Sequence, residues 1–243
     1  MRRFLLAVQF LTIIPVMIRG GVTQKDLGRS MGYFPLTGLL IAGLLCLIYY
    51  CTSVLCPQAR AALLAALGVI VTGGVHLDGW ADTCDGFYGQ RSKEDRLMIM
   101  RDSSVGAMGA AGIVILLLLK YSFYLNADPD QILKLIIMMC VGSRWTQMFA
   151  CISAPYARKE GKALAYIEYL SKRSVFVNAV LICVLFFFLA GIKGLVIFAV
   201  TLIYSLLFIR VSLAKIQGIT GDVIGALSES VEVVVLIAGS VVL

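Results

Sequence analysis

Residues 73–109 read GGVHLDGWADTCDGFYGQRSKEDRLMIMRDSSVGAMG. This stretch holds the chain's only histidine, His76, and six of its fourteen acidic residues: Asp78, Asp82, Asp85, Glu94, Asp95 and Asp102. On either side the sequence turns strongly apolar. The chain as a whole is 60% hydrophobic and only 14% charged, with a mean hydropathy of +0.94. That composition lies outside the range of soluble domains and belongs to integral membrane proteins. The polar island therefore interrupts a membrane scaffold.

Outward from the island, a bilayer core of about 30 Å needs roughly 20 apolar residues at about 1.5 Å each. Spans are predicted near residues 33–55, 59–77, 105–125, 131–153, 174–190, 192–211 and 223–243. The segment Phe4 to Ile18 is shorter and contains Pro15, which predicts an interfacial or re-entrant helix. The expected fold is all-α and polytopic: one membrane domain over residues 1–243, with about seven transmembrane helices plus the N-terminal helix. The amino end has a basic start and an apolar run, but no A-x-A-like site follows, so it is expected to remain in the mature chain. Seven scattered cysteines with no CxxC pair read as small apolar residues, not as a disulfide or zinc framework.

Orientation follows from the basic residues. With the amino end inside, sixteen Lys and Arg residues fall on the cytoplasmic side or its helix ends. Four (Arg60, Lys120, Lys134 and Lys193) fall opposite, and Arg144 lies within a span. The net charge of +7 is thus read as loop bias and attraction to anionic lipid or substrate, without nucleic acid as a partner. The loops 73–104, 154–173 and 211–222 are then expected to face the cytoplasm together, whereas the external connections are too short to hold a site.

Asp78, Asp82 and Asp85 stand at i, i+4 and i+7, so in a helix they share one face, although Gly79 and Gly86 weaken that helix. Ionised carboxylates about 6 Å apart repel by roughly 3 kcal/mol per pair at an effective dielectric near 20. A positive partner is therefore expected among them. Oxygen ligands suit Mg²⁺ or Mn²⁺ bridging carboxylates and phosphate, as in phosphoryl transfer. The plainer alternative is a solvated acidic loop paired with Arg91, Arg96 and Arg101. His76 does not share the acidic face and is expected on the break before it, as general base, phosphate contact or metal ligand. A zinc site of His76, an aspartate and Cys84 is a weaker option.

Arg101, Asp102 and Ser103 precede the next span, where Arg101 can clamp phosphate and Asp102 complete the metal site. Gly106, Gly109 and Gly112 lack nucleotide-loop spacing and read as close helix packing. Arg158, Lys159 and Lys162 offer anion contacts, and Asp222 stands at a helix entrance. Glu229 and Glu232 fall within a span, where ionisable groups are costly and mark function unless they satisfy interhelical hydrogen bonds.

The runs GGVHLDGWADTCDG (73–86), MRDSSVGAMG (100–109) and TGDVIGA (220–226) resemble the cobalamin synthase family, the adenosylcobinamide-GDP ribazoletransferases. FLTIIPV (10–16), residues Tyr33 to Gly43 and APYAR (154–158) extend the resemblance over nearly the whole chain. It implies attack by a hydroxyl of α-ribazole, or of its 5′-phosphate, on adenosylcobinamide-GDP, with GMP departing and adenosylcobalamin or its 5′-phosphate formed. Carried onto this chain, it implies Mg²⁺ held by Asp78, Asp82 and Asp85, with Asp102 or Asp222 completing the shell. Catalytic roles fall to His76, Asp82 and Arg101, and substrate contacts to Arg101, Ser103, Arg158 and Asp222. The implied setting is a cell inner membrane with the site facing the cytoplasm. Further partners left open are a second copy of the chain and other corrinoid-pathway enzymes. Two other functions compete: a phosphotransferase of the CDP-alcohol type, whose D-G-x-x-A-R pattern is absent, and a cation or solute transporter suggested by Glu229 and Glu232.

Overall fold

The computed structural model describes residues 1–161 and 163–243. Twelve α-helices and one 3₁₀ turn make up its regular structure, and among the described residues the only β-type pairing is an isolated parallel bridge between Tyr156 and Ile219. The helices are α1 (Arg2–Leu11), α2 (Gln24–Ser30), α3 (Phe34–Cys51), α4 (Pro57–Val71), α5 (Val75–Phe87) and α6 (Lys93–Ile99). They continue as α7 (Ala107–Asn126), α8 (Ile132–Ser153), α9 (Leu164–Tyr169), α10 (Lys172–Ala190), α11 (Ile192–Ile216) and α12 (Gly221–Val242).

Among the described residues, six helical stretches are long and apolar enough to cross a membrane, and the bent pair α4 and α5 makes a seventh when it is counted as one span. The protein is a multi-pass, all-α membrane protein. The first span runs from Gln24 to Cys51 because α2 passes through the 3₁₀ turn Met31–Tyr33 into α3. α1 has ten residues, about 15 Å of helix, which is too short to cross.

The layers follow from burial. In α8 and α12, 83% of the apolar stretch is enclosed by protein, against 28% in α7 and α11 and 17% in α10. Two central helices are therefore wrapped by others whose outer faces are left apolar, as lipid requires. α5 packs against both α12 and α7.

The second span departs from expectation. α4 does not continue to residue 77: it stops at Val71, and α5 leaves at 92° to it. Gly73 (φ +61°) and Gly74 (φ +66°) both take left-handed backbone at the break, which residues with a Cβ rarely adopt. The acidic run beyond is helical through Gly79 and Gly86. His76 lies inside α5, not on the break.

A second correction concerns charge. Lys120 is not at an external helix end but buried, its Nζ 2.6 Å from both Glu229 Oε2 and Glu232 Oε2. Arg144 also pairs with Glu232. The cluster holds two carboxylates and two cations, so the interhelical pairing reading of Glu229 and Glu232 is the one that the structure bears out.

Candidate active site

α5 carries the site, and glycines bring its neighbours close. A Cβ on Gly79 would stand 2.7 Å from the Asp222 carbonyl oxygen, and one on Gly225 would stand 3.2 Å from His76 Cα. α5 and α12 thus run antiparallel in backbone contact, which delivers Asp222 beside Asp78 and Asp82. On the opposite flank α7 approaches through Gly112, where a Cβ would meet Cys84 Sγ at 2.7 Å. The glycines of α7 are packing residues, as the sequence predicted.

The end of α5 is pinned by cations. Arg96 is buried, donating to the Gly86 carbonyl at 3.0 Å and the Gly89 carbonyl at 2.9 Å. Lys215 donates to the Phe87 carbonyl at 2.7 Å. Positive side chains at a helix C-terminus satisfy its unpaired carbonyls and oppose its dipole. Sequence reasoning counted Arg96 as a solvated partner for the acidic run and overlooked this role. Set in the short α6 directly after Glu94 and Asp95, it carried no distinguishing signal.

The three expected cytoplasmic loops do converge. Arg158 Nη2 lies 2.9 Å from Asp222 Oδ2 and also donates to the Met100 carbonyl at 3.2 Å, tying second loop to third and first. Backbone bonds from Ala157 N to Ile219 O (2.8 Å) and from Ile219 N to Pro155 O (2.9 Å) fasten the same junction. Burial raises the pKa of Tyr156 here, with the Arg158 guanidinium opposing that rise.

Not every expected residue joins this junction. Asp78 and Asp222 line one cleft of about 240 Å³, with His76 and Gln147 at its floor. Asp82, half-buried, lies in the field of Asp78, Asp222 and Arg158. Asp85 turns instead to the start of α7, where its two oxygens accept from Gly106 N and Gly109 N at 2.8 Å each. Asp102 is exposed and accepts from the Ser104 hydroxyl (2.6 Å) and amide (2.9 Å), bonds that hold its pKa below the usual carboxylate value. Asp85 and Asp102 line a different cleft, together with Arg91.

Among the described residues, no three His, Cys, Asp or Glu side chains are grouped so as to hold a metal ion as they stand. The four-aspartate set is thus not assembled at one point, and the zinc set of His76 and Cys84 is not formed. In donor chemistry the Asp78, Asp82 and Asp222 trio still fits magnesium: three carboxylates lie near one another with Arg158 as the cation paired to Asp222, an excess of hard oxygen and negative charge.

His76 is 4% exposed. Its Nε2 lies 3.0 Å from Gln147 Nε2, which also donates to Ser228 Oγ at 2.8 Å. With the amide nitrogen as donor, Nε2 accepts and the ring proton resides on Nδ1. Arg101 and Ser103 are exposed and make no side-chain bond to another described residue; Lys162 lies outside the described residues.

Comparisons with known proteins place the whole chain. The family model for cobalamin-5-phosphate synthase matches residues 3–240. The chain is 36% identical to the adenosylcobinamide-GDP ribazoletransferase of Geotalea daltonii over 237 residues, which is 97% of this chain and 96% of that protein. It is 32% identical to the enzyme of the same name from Clostridium acetobutylicum, over 94% of this chain and 91% of that one. The likeness to the Acetivibrio thermocellus protein so named is also 32%, over 94% and 93%. No solved structure matches. With matches that run nearly from end to end, the chain belongs to the cobalamin-5-phosphate synthase family.

Proposed function

We propose that this chain is a membrane transferase that joins α-ribazole, or α-ribazole 5′-phosphate, to adenosylcobinamide-GDP with release of GMP. The carrying observation is the junction of Asp78, Asp82, Asp222 and Arg158, built from three loops and two helices, in a chain whose relatives bear that activity's name. The acceptor hydroxyl attacks the cobinamide-linked phosphorus. A new P–O bond forms, the bond to the GMP oxygen breaks, and GMP leaves with the bonding pair.

Magnesium, when bound, would neutralise the diphosphate; Asp78, Asp82 and Asp222 are the residues that would hold it. Arg158, already oriented by Asp222 and the Met100 carbonyl, meets negative charge on the transferring phosphoryl group. His76 is buried and already engaged by Gln147, so the hydroxyl proton passes to an aspartate. Asp82 has two oxygens and can ligate through one while accepting on the other. His76 then orients the cleft floor. Arg101 and Ser103, on the exposed turn after α6, supply further contacts to the diphosphate.

The site is assigned to the cytoplasmic face of the cell inner membrane, since sixteen of the 21 basic residues fall on the side of the membrane where the loops that build it lie. A transporter is disfavoured because Glu229 and Glu232 are neutralised by Lys120 and Arg144. Purified protein in detergent, given both substrates and Mg²⁺, should release GMP. Asp82→Asn should lower that rate by about 100-fold or more, a loss typical of a removed catalytic group. Full turnover by Asp82→Asn would refute the assignment.

A further inference from the structure

The cleft holding Asp78 and Asp222 is lined by two unlike kinds of residue. The carboxylates share its lining with three aromatic rings from three separate elements: Phe10 near the end of α1, Phe34 at the start of α3 and Tyr166 in α9. Phe10 and Phe34 are stacked, with centroids 5.7 Å apart and planes 14° from parallel. Tyr166 closes the group at 5.2 Å from Phe10 and 5.7 Å from Phe34. Phe34 and Tyr166 are almost wholly buried, whereas Phe10 is 39% exposed at the cleft mouth. Phe10, a ring that α1 would otherwise bury in its packing, keeps an exposed face. The three rings border an open space of about 240 Å³ beside the acidic residues.

We propose that this aromatic wall is the subsite for the base of the nucleoside acceptor, the flat dimethylbenzimidazole of α-ribazole, with its ribose directed at Asp78 and Asp222. The inference rests on the transferase reading above. The reaction brings two flat heterocycles, and the wall's chemistry chooses between them. Guanine presents donors and acceptors around its edge, and burying them unpaired is costly. Beside Phe10, Phe34 and Met31, this wall offers only the Tyr166 hydroxyl. Dimethylbenzimidazole has methyl groups where guanine has polar ones, so it gains from apolar burial and from stacking.

Equilibrium dialysis of α-ribazole against the purified full chain, without donor, tests the subsite independently of turnover. Steady-state GMP release tests it in the working enzyme. Phe10→Ala should weaken α-ribazole binding and raise its KM by about tenfold or more, as loss of a base-stacking ring does. The KM for adenosylcobinamide-GDP should stay within about twofold, because no stacking partner of the donor is removed. Dimethylbenzimidazole alone should compete with α-ribazole, and guanosine should not. Phe10→Leu keeps the apolar bulk that holds α1 while removing the ring, so it carries the same expectation if Phe10→Ala fails to fold. Unchanged α-ribazole affinity in either folded variant would overturn the subsite, as would guanosine displacing the nucleoside or a rise in the donor's KM instead. Wild-type protein that binds α-ribazole through Phe10 yet releases no GMP would refute the transferase reading and leave the subsite standing.

Discussion

At the scale of single residues, Arg158 carries the clearest expectation. Its Nη2 meets Asp222 Oδ2 and the Met100 carbonyl at once, and that nitrogen stands one atom farther along the side chain than a lysine ammonium reaches. Arg158→Lys should retain charge but reduce kcat/KM for GMP release by about tenfold or more, since losing one charge-assisted bond costs about 1.5–3 kcal/mol. Wild-type kinetics in that variant would show that charge alone suffices. Asp78 and Asp82 were legible in the sequence because their i, i+4 spacing encodes a shared helix face whatever the surroundings. Asp85, seven residues on, satisfied the same rule and yet serves α7. Gly106 and Gly109 expose amides without a capping side chain of their own, a demand visible only once α7 is packed against α5. His76 was conspicuous as a lone histidine, but its partner Gln147 lies 71 residues away, and no spacing rule connects them.

At the scale of elements, Asp85 supplies from α5 the cap that α7 lacks. Asp85→Asn removes its charge and leaves one oxygen to serve two amides, so the start of α7 should loosen by about 0.5–2 kcal/mol. The unfolding temperature in detergent is expected to fall, while the Mg²⁺ concentration for half-maximal turnover stays near wild type. A large rise in that concentration would return Asp85 to the metal shell. The long apolar helices were legible because hydropathy over about 20 residues is a direct consequence of the bilayer. The bent pair was half legible. Gly73 and Gly74 announce a break, but the 92° turn into a helix of mixed polarity does not follow from composition. α5 is helical because α12, α7, Arg96 and Lys215 hold it, which overrides the weak propensity of its glycines.

At the scale of the whole molecule, the charged cluster of Lys120, Arg144, Glu229 and Glu232 joins α7, α8 and α12 in the centre of the bundle. Glu232→Gln would leave Arg144 buried without its counter-charge. Breaking such a pair costs about 3–5 kcal/mol, so the variant should unfold at markedly lower temperature or fail to accumulate. An unshifted unfolding temperature would show that the cluster is not a structural staple. The sequence showed Glu229 and Glu232 to be expensive, but their partners are separated from them by about a hundred residues, and only the fold pairs them. Loop convergence, in contrast, was readable from the basic residues. The positive-inside rule puts each loop on a side, and the short opposite connections leave one face for chemistry.

The balance of that cluster has an electrical consequence. A transmembrane potential does work on net charge, about 2.3 kcal/mol per elementary charge carried across 100 mV. Two carboxylates set against two cations sum to zero, so the energised membrane exerts no net force on the centre of the protein. The bundle can sit in a polarised bilayer with four ionised groups inside it and still not behave as a voltage sensor.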